Sequence, residues 1–220
     1  MTMISSRPDL QTPRAMIVPA GPQPSQAGDW RGHLPLLRAG SATLRELQPS
    51  DAASLFALLS TDEVTRFISP PPKTVQGFER FIAWTRHEQS HGRYICYGIV
   101  PDGQDCAVGI IQVRQLDPDF GTAEWGFALG SAYWGTGLFH QSAMAVIEFA
   151  FTQVGVHRLE ARAAVANGRG NAALAKLGAT PEGLLRRSLL KNGQYLDQVL
   201  WGLPIEDWVF ICTGAPLRVH

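Results

Sequence analysis

The stretch from Thr122 to about Val154 constrains the fold more than any other part of the chain. Thr122–Leu129 alternates like a strand, Gly135 and Gly137 mark a turn, and an apolar helical period resumes over about 139–154. A helix that starts directly after a glycine turn offers unpaired N–H groups and a partial positive charge to its surroundings, so it binds anions. Gly135 and Gly137 place no Cβ in the way of a bound phosphate, and a pyrophosphate is the obvious guest. Two glycines ahead of a helix also suit a plain turn, so the motif alone decides little. Two other phosphate motifs are excluded. No G-x-x-x-x-G-K-[ST] occurs, which rules out a P-loop. The dinucleotide fingerprint fails because His140 stands where its third glycine belongs.

The surrounding order supports this. A strand is expected over 42–47, then a helix opened by Pro49-Ser50-Asp51 with Ser50 or Asp51 as its N-cap. After Pro70-Pro71-Pro72 a second helix is expected over 74–91, with Phe78, Phe81, Ile82 and Trp84 as its apolar stripe. Three strands follow, 93–100, 107–115 and Thr122–Leu129, with turn signals at Pro101-Asp102-Gly103 and Asp117-Pro118-Asp119. They read as a meander, which argues against a βαβ dinucleotide unit. After the 139–154 helix come a strand at 158–166, a helix at 170–177 closed by Gly178, and a hairpin of 184–190 and 198–203 that turns at Asn192-Gly193. The sum is a mixed α/β sandwich.

Residues 1–38 differ in kind. Pro8, Pro13, Pro19, Pro22, Pro24 and Pro35 are spread among Ser, Gln and Gly with no apolar period, as in a flexible arm ahead of a domain over 39–220. Trp30 and Leu34-Pro35-Leu36-Leu37 are exceptions that would pack the arm's end onto the domain or onto a second subunit, leaving a homodimer open. Lys+Arg and Asp+Glu both number 19, and a formal charge of zero speaks against nucleic acid or anionic membrane as partner. Cys96, Cys106 and Cys212 form no C-x-x-C pair, so neither a structural metal site nor a secreted disulfide framework is expected. Cys96 and Cys106 lie in strand-like runs and read as inert, buried thiols. No apolar run approaches the ~20 residues of a membrane span, and the cytoplasm is the expected compartment.

The motifs together resemble the GNAT superfamily, in the branch around ribosomal-protein-alanine N-acetyltransferases. That branch carries roughly A-E-I-G-Y, then Y-W-G-K-G-Y-A-T-E-A, then N-x-x-S-x-x-x-L-E-K-L-G-F. Here these are Ala123-Glu124-Trp125-Gly126-Phe127, the block from Tyr133 through Gly135, Thr136 and Gly137 to Ser142, and the block from Asn167 to Gly178-Ala179. The resemblance implies a mainly antiparallel central sheet with splayed strands, flanked by helices. It implies acetyl-CoA as cosubstrate, its pantetheine lying between Thr122–Leu129 and the 158–166 strand. Backbone groups of Phe127 and Leu129 would bind pantetheine. Trp134 and the amides of Gly135, Thr136, Gly137, Leu138 and Phe139 would hold the pyrophosphate, and Asn167 would flank the cofactor. Phe139 replaces a usual Gly or Ala, Gly170 a usual Ser and Ala179 a usual Phe.

Glu124 shares a strand face with Gly126 and Ala128 and is the candidate catalytic base, since an attacking ammonium must lose a proton. A structural carboxylate is its alternative role. His140 and His157 are lesser candidates, Tyr195 and Ser188 do not align firmly with the family's leaving-group acids, and Asp197 reads as hairpin support. The expected activity is acetyl transfer from acetyl-CoA to a primary amine, a protein N-terminus or a small molecule, by direct attack in a ternary complex. The acceptor cleft would form from 62–72 and the closing hairpin. A catalytically silent CoA-binding or interaction module, suggested by Phe139, Gly170 and the arm, is the alternative.

Overall fold

The structure, a computed structural model, describes residues 29–213. The proline-rich residues 1–28 therefore lie outside the described part. Eight strands form one sheet: β1 (Leu37–Ala39), β2 (Ala42–Glu46), β3 (Tyr94–Pro101), β4 (Gly109–Gln115), β5 (Thr122–Leu129), β6 (Arg158–Ala164), β7 (Thr180–Lys191) and β8 (Gln194–Pro204). Their spatial order is β1-β2-β3-β4-β5-β6-β8-β7. Every neighbouring pair is antiparallel except β5 and β6, which run parallel because a helical crossover joins them.

Helices α1 (Ala52–Leu59), α2 (Asp62–Thr65) and α3 (Val75–Ser90) contribute Leu55, Leu59, Val64, Phe78 and Ile82 to one core, over one face of the sheet. Helices α4 (Leu138–Phe149), α5 (Gly168–Lys176) and α6 (Ile205–Thr213) contribute Val146, Leu174 and Trp208 to the core on the other face. Strand alternation sorts the sheet's residues between them. Cys96 and Ile110 face α1 and α3, while Tyr97, Ile111 and Trp125 face α4.

Several boundaries differ from the sequence reading. The expected 139–154 helix is α4 followed by a π-turn, Ala150–Val154, that ends at Gly155 with φ +87°. β1, α2 and α6 are additions; β1 and α2 are too short to show a period. The hairpin strands are longer than expected, with the turn at Asn192 and Gly193 as predicted. Cys106 precedes β4 rather than lying in it and is only half-buried, whereas Cys96 is buried and its thiol is pushed up by burial.

Asp51 stands at the N-cap position of α1 without a side-chain bond to that helix; its carboxylate instead closes a capping box on the Gln48 amide at the preceding 3-10 turn, Pro49–Asp51. Its fully buried carboxylate accepts from Arg45 at 2.7 and 2.9 Å, from the Gln48 amide at 2.7 Å and from the Ala107 amide at 2.8 Å. It thereby joins β2, the start of α1 and the approach to β4. The segment before β1 is docked as well. Trp30 is 4% exposed, meeting Phe120 edge-on at 5.7 Å between ring centres. The Glu46 carboxylate accepts from the Leu34 amide at 2.7 Å and from Gln89 at 2.8 Å. Of the two positions foreseen for Trp30, on the domain or on a second subunit, it occupies the first.

Candidate active site

The site begins where two strands part. β5 and β6 pair only at Thr122↔Arg158, Ala123↔Leu159 and Glu124↔Glu160. Beyond Glu124, β5 remains paired to β4 and β6 to β8, so the two diverge. The Gly130 amide donates to the Val108 carbonyl, which aims the even-numbered backbone groups of β5 at β4. Past that last pairing the odd-numbered groups, those of Phe127 and Leu129, face the gap. They find no strand partner there among the described residues, and only the Leu129 carbonyl is engaged, accepting from the Trp134 indole N–H at 2.9 Å.

The gap opens into a cavity of about 670 Å³. Phe127, Leu129, Trp134, Gly135, Gly137, Phe139 and Asn167 all line it, so the structure brings together most of the residues expected to hold the coenzyme. Thr136 and Leu138 do not. The Thr136 hydroxyl donates to the Tyr133 carbonyl and accepts from the Leu138 amide at 3.3 Å, which pins the loop from within, while Leu138 is buried in the core. Among the described residues, the amides of Gly135, Gly137, Phe139 and His140 have no acceptor. Gly135 and Gly137 adopt φ +76° and +85°, and a Cβ built on either meets no heavy atom within 4 Å. An open concave run of free amides at a helix start, under the positive end of α4, suits a diphosphate. Gly137→Val forces a β-branched residue into that left-handed conformation, a strain of about 1–3 kcal/mol. We expect calorimetry to show acetyl-CoA affinity reduced about 10-fold with the fold retained; unchanged affinity would place the phosphates elsewhere.

The departures from the family pattern have local reasons. The Phe139 ring packs on Phe127, 4.1 Å between centres, instead of over the glycines. Gly170 faces the Asn167 side chain, which caps α5 by accepting from the Gly170 amide at 3.0 Å; a Cβ there would lie 2.5 Å from Asn167 Nδ2.

Glu124 stands at the vertex of the splay and is 23% exposed. It pairs with Arg114 of β4 and lies 3.6 Å from Arg162 of β6, so one carboxylate on β5 faces cations from both neighbouring strands. It does not line the cavity, and it belongs to the sheet face covered by α1 and α3. His140 lines the cavity; His157 instead lies 3.4 Å from Glu206 at the surface. Ser188 is bound within the hairpin to the Leu185 carbonyl and Gln198, and Asp197 accepts from the Arg187 amide at 2.7 Å, as a supporting residue would.

Sequence reasoning missed the cations of the cavity, Arg66, Arg169 and Lys176. The 168–170 positions sit in a quoted motif, but nothing local says that Arg169 reaches back over Trp134. The segment after α2 forms another wall with Phe67 and Ile68, and Lys191 of the hairpin donates to the Ile68 carbonyl at 3.1 Å. The two parts expected to build an acceptor cleft thus touch.

The parted strands, the glycine loop at a helix start and the mixed sheet define an acyltransferase architecture. The acetyltransferase (GNAT) domain family matches residues 42–180, and the chain belongs to that family. It is similar to the N-acetyltransferase p20 of Bacillus licheniformis, 28% identical over 162 residues that cover 73% of this chain and 91% of that protein. It is similar also to the ribosomal protein uS5-alanine N-acetyltransferase of Escherichia coli, 28% identical over 56% of this chain and 62% of the relative. Among solved structures, Mycobacterium smegmatis RimJ in complex with CoA-disulfide superposes with a TM-score of 0.71 at 25% identity, covering 82% of this chain and 93% of that one. The chain is accordingly an enzyme of the acetyltransferase class. No helix among its described residues is long and apolar enough to cross a membrane.

Proposed function

We propose that this enzyme moves acetyl from acetyl-CoA to a primary amine by direct attack in a ternary complex. The observation that carries the reading is the divergence of β5 from β6 beside the open amides of Gly135 and Gly137. Pantetheine bonds the inward backbone groups of Phe127 and Leu129 as an added strand would, and the pyrophosphate rests on the loop and the start of α4. The amine nitrogen bonds the acetyl carbon, the C–S bond breaks, and the sulfur leaves with its electron pair. The nitrogen releases a proton, for which Glu124 is the proposed acceptor. Backbone N–H groups facing the gap polarise the thioester carbonyl.

The acceptor is a protein N-terminus or a small-molecule amine, and the ribosomal-protein relative supports the first. The cytoplasm is the proposed setting, in keeping with three free cysteines. Calorimetry is expected to show acetyl-CoA binding that is indifferent to chelator, because the site offers amides and cations. No binding at millimolar acetyl-CoA would sink the proposal. Release of CoA thiol with a panel of peptides, amino acids and aminoglycosides then identifies the acceptor. Binding without release to any amine would favour a silent coenzyme-binding module.

A further inference from the structure

The loop Tyr133–Phe139 contains no basic side chain, so its own share of a diphosphate's charge comes from backbone amides alone. A cation nevertheless stands over it. The Arg169 guanidinium carbon lies 3.7 Å from the centre of the Trp134 ring, and both residues line the cavity with Gly135 and Gly137. Trp134 is a fixed platform, since its indole N–H is held by the Leu129 carbonyl. Arg169 comes from the opposite wall, the first turn of α5 just beyond β6. Cation on ring therefore bridges the two sides of the splay.

Two features of Arg169 call for an anion. It sits at the positive end of α5, where a cation is disfavoured unless negative charge is near. Among the described residues it forms no ion pair, so its N–H edges are unspent, and stacking on a ring leaves those edges free. The other cations are less suited. Arg66 lies over Phe67, and Lys176 is seven residues along α5, ~10 Å away.

We infer that Arg169, held over Trp134, is a phosphate ligand of the acyl donor and selects phosphorylated pantetheine over pantetheine alone. This rests on the acetyl-CoA reading above. The test measures affinity and kinetics of wild type, Arg169→Ala and Arg169→Lys with acetyl-CoA, its 3′-dephospho form and S-acetylpantetheine. A lost charge-assisted contact predicts a rise of about 10- to 100-fold in Kd and KM for acetyl-CoA in the Ala variant. The kcat should be little changed, the Lys variant should recover part of the loss, and S-acetylpantetheine should bind wild type and variant alike. An equal loss with the dephospho donor assigns the contact to the pyrophosphate, and a loss confined to acetyl-CoA assigns it to the 3′-phosphate. Equal affinity of wild type and Arg169→Ala for acetyl-CoA would overturn the inference, as would an equal loss with S-acetylpantetheine. Wild type that binds none of the three donors would overturn the donor reading as well, which separates the two failures.

Discussion

Glu124→Gln is expected to lower kcat by at least ~10²-fold while leaving acetyl-CoA affinity nearly unchanged. An amine at neutral pH is mostly protonated, so turnover needs a proton acceptor, and Gln keeps the side chain's shape without its basicity. Glu124 lies at the point where β5 leaves β6, on the face away from α4, while the donor's proposed contacts lie further along β5 and on the loop. The structure supplies a definite competing role, a charge bridge from Arg114 to Arg162. Both arginines are substantially exposed, so that bridge contributes only ~0–1 kcal/mol per pair. A lower melting temperature with near-normal turnover per folded molecule would assign Glu124 to the bridge and leave water or His140 as the proton acceptor.

Asp51→Ala is expected to lower the stability of the domain by about 3–5 kcal/mol, because it strands a largely buried guanidinium. It also leaves the Gln48 and Ala107 amides without their acceptor. Burial alone would raise the Asp51 pKa above its ordinary 3.8, but the hydrogen bonds from Arg45, Gln48 and Ala107 outweigh it and hold the carboxyl below that value. The sign of the pH effect follows. A depressed folded-state pKa gives stabilisation that is fully present above the unfolded pKa and is lost as pH falls through the folded one. Wild type should therefore lose stability as pH drops below about 4, and Asp51→Ala should show a shallower loss across that window. Urea midpoints for both proteins between pH 7 and pH 2 measure this. A variant within ~1 kcal/mol of wild type at pH 7 would show that the Arg45–Asp51 pair contributes little net stability.

What the sequence determined is what local chemistry determines. β5 is legible as Thr122–Leu129 because apolar and polar positions alternate there, with one face turned to each core. The loop is legible because only glycine readily takes the left-handed backbone that Gly135 and Gly137 adopt. The helix start is legible because it follows at once, and the Asn192-Gly193 turn because both residues need positive φ. Local pattern ran out where partners are distant. Trp30 and Leu34 sit among prolines without a period, and their burial depends on Phe120, Glu46 and Gln89, which no window around residue 30 contains. Asp51 looks like a helix cap because it precedes a helix, and its carboxylate does close a capping box on the Gln48 amide, but its bonds to Arg45 and to the Ala107 amide 56 residues away are set by the fold.

The same limit applies within the site. The splay was inferred from family likeness, whereas its physical form is a parallel pairing that stops after Glu124 while β4 and β8 keep their hold on the two strands. Alternation put Glu124 beside Gly126 and Ala128 on one face, and only the packed sheet sets Arg114 and Arg162 on either side of it. A glycine turn before a helix declares an anion site in the sequence because its donors are its own backbone. The cation above it, Arg169, is 35 residues from Trp134 in sequence and reaches its ring only because β6 and α5 fold back across the cavity. Conformation along the chain was thus set by short-range sterics and periodicity, while charge placement around the cavity was set by long-range packing.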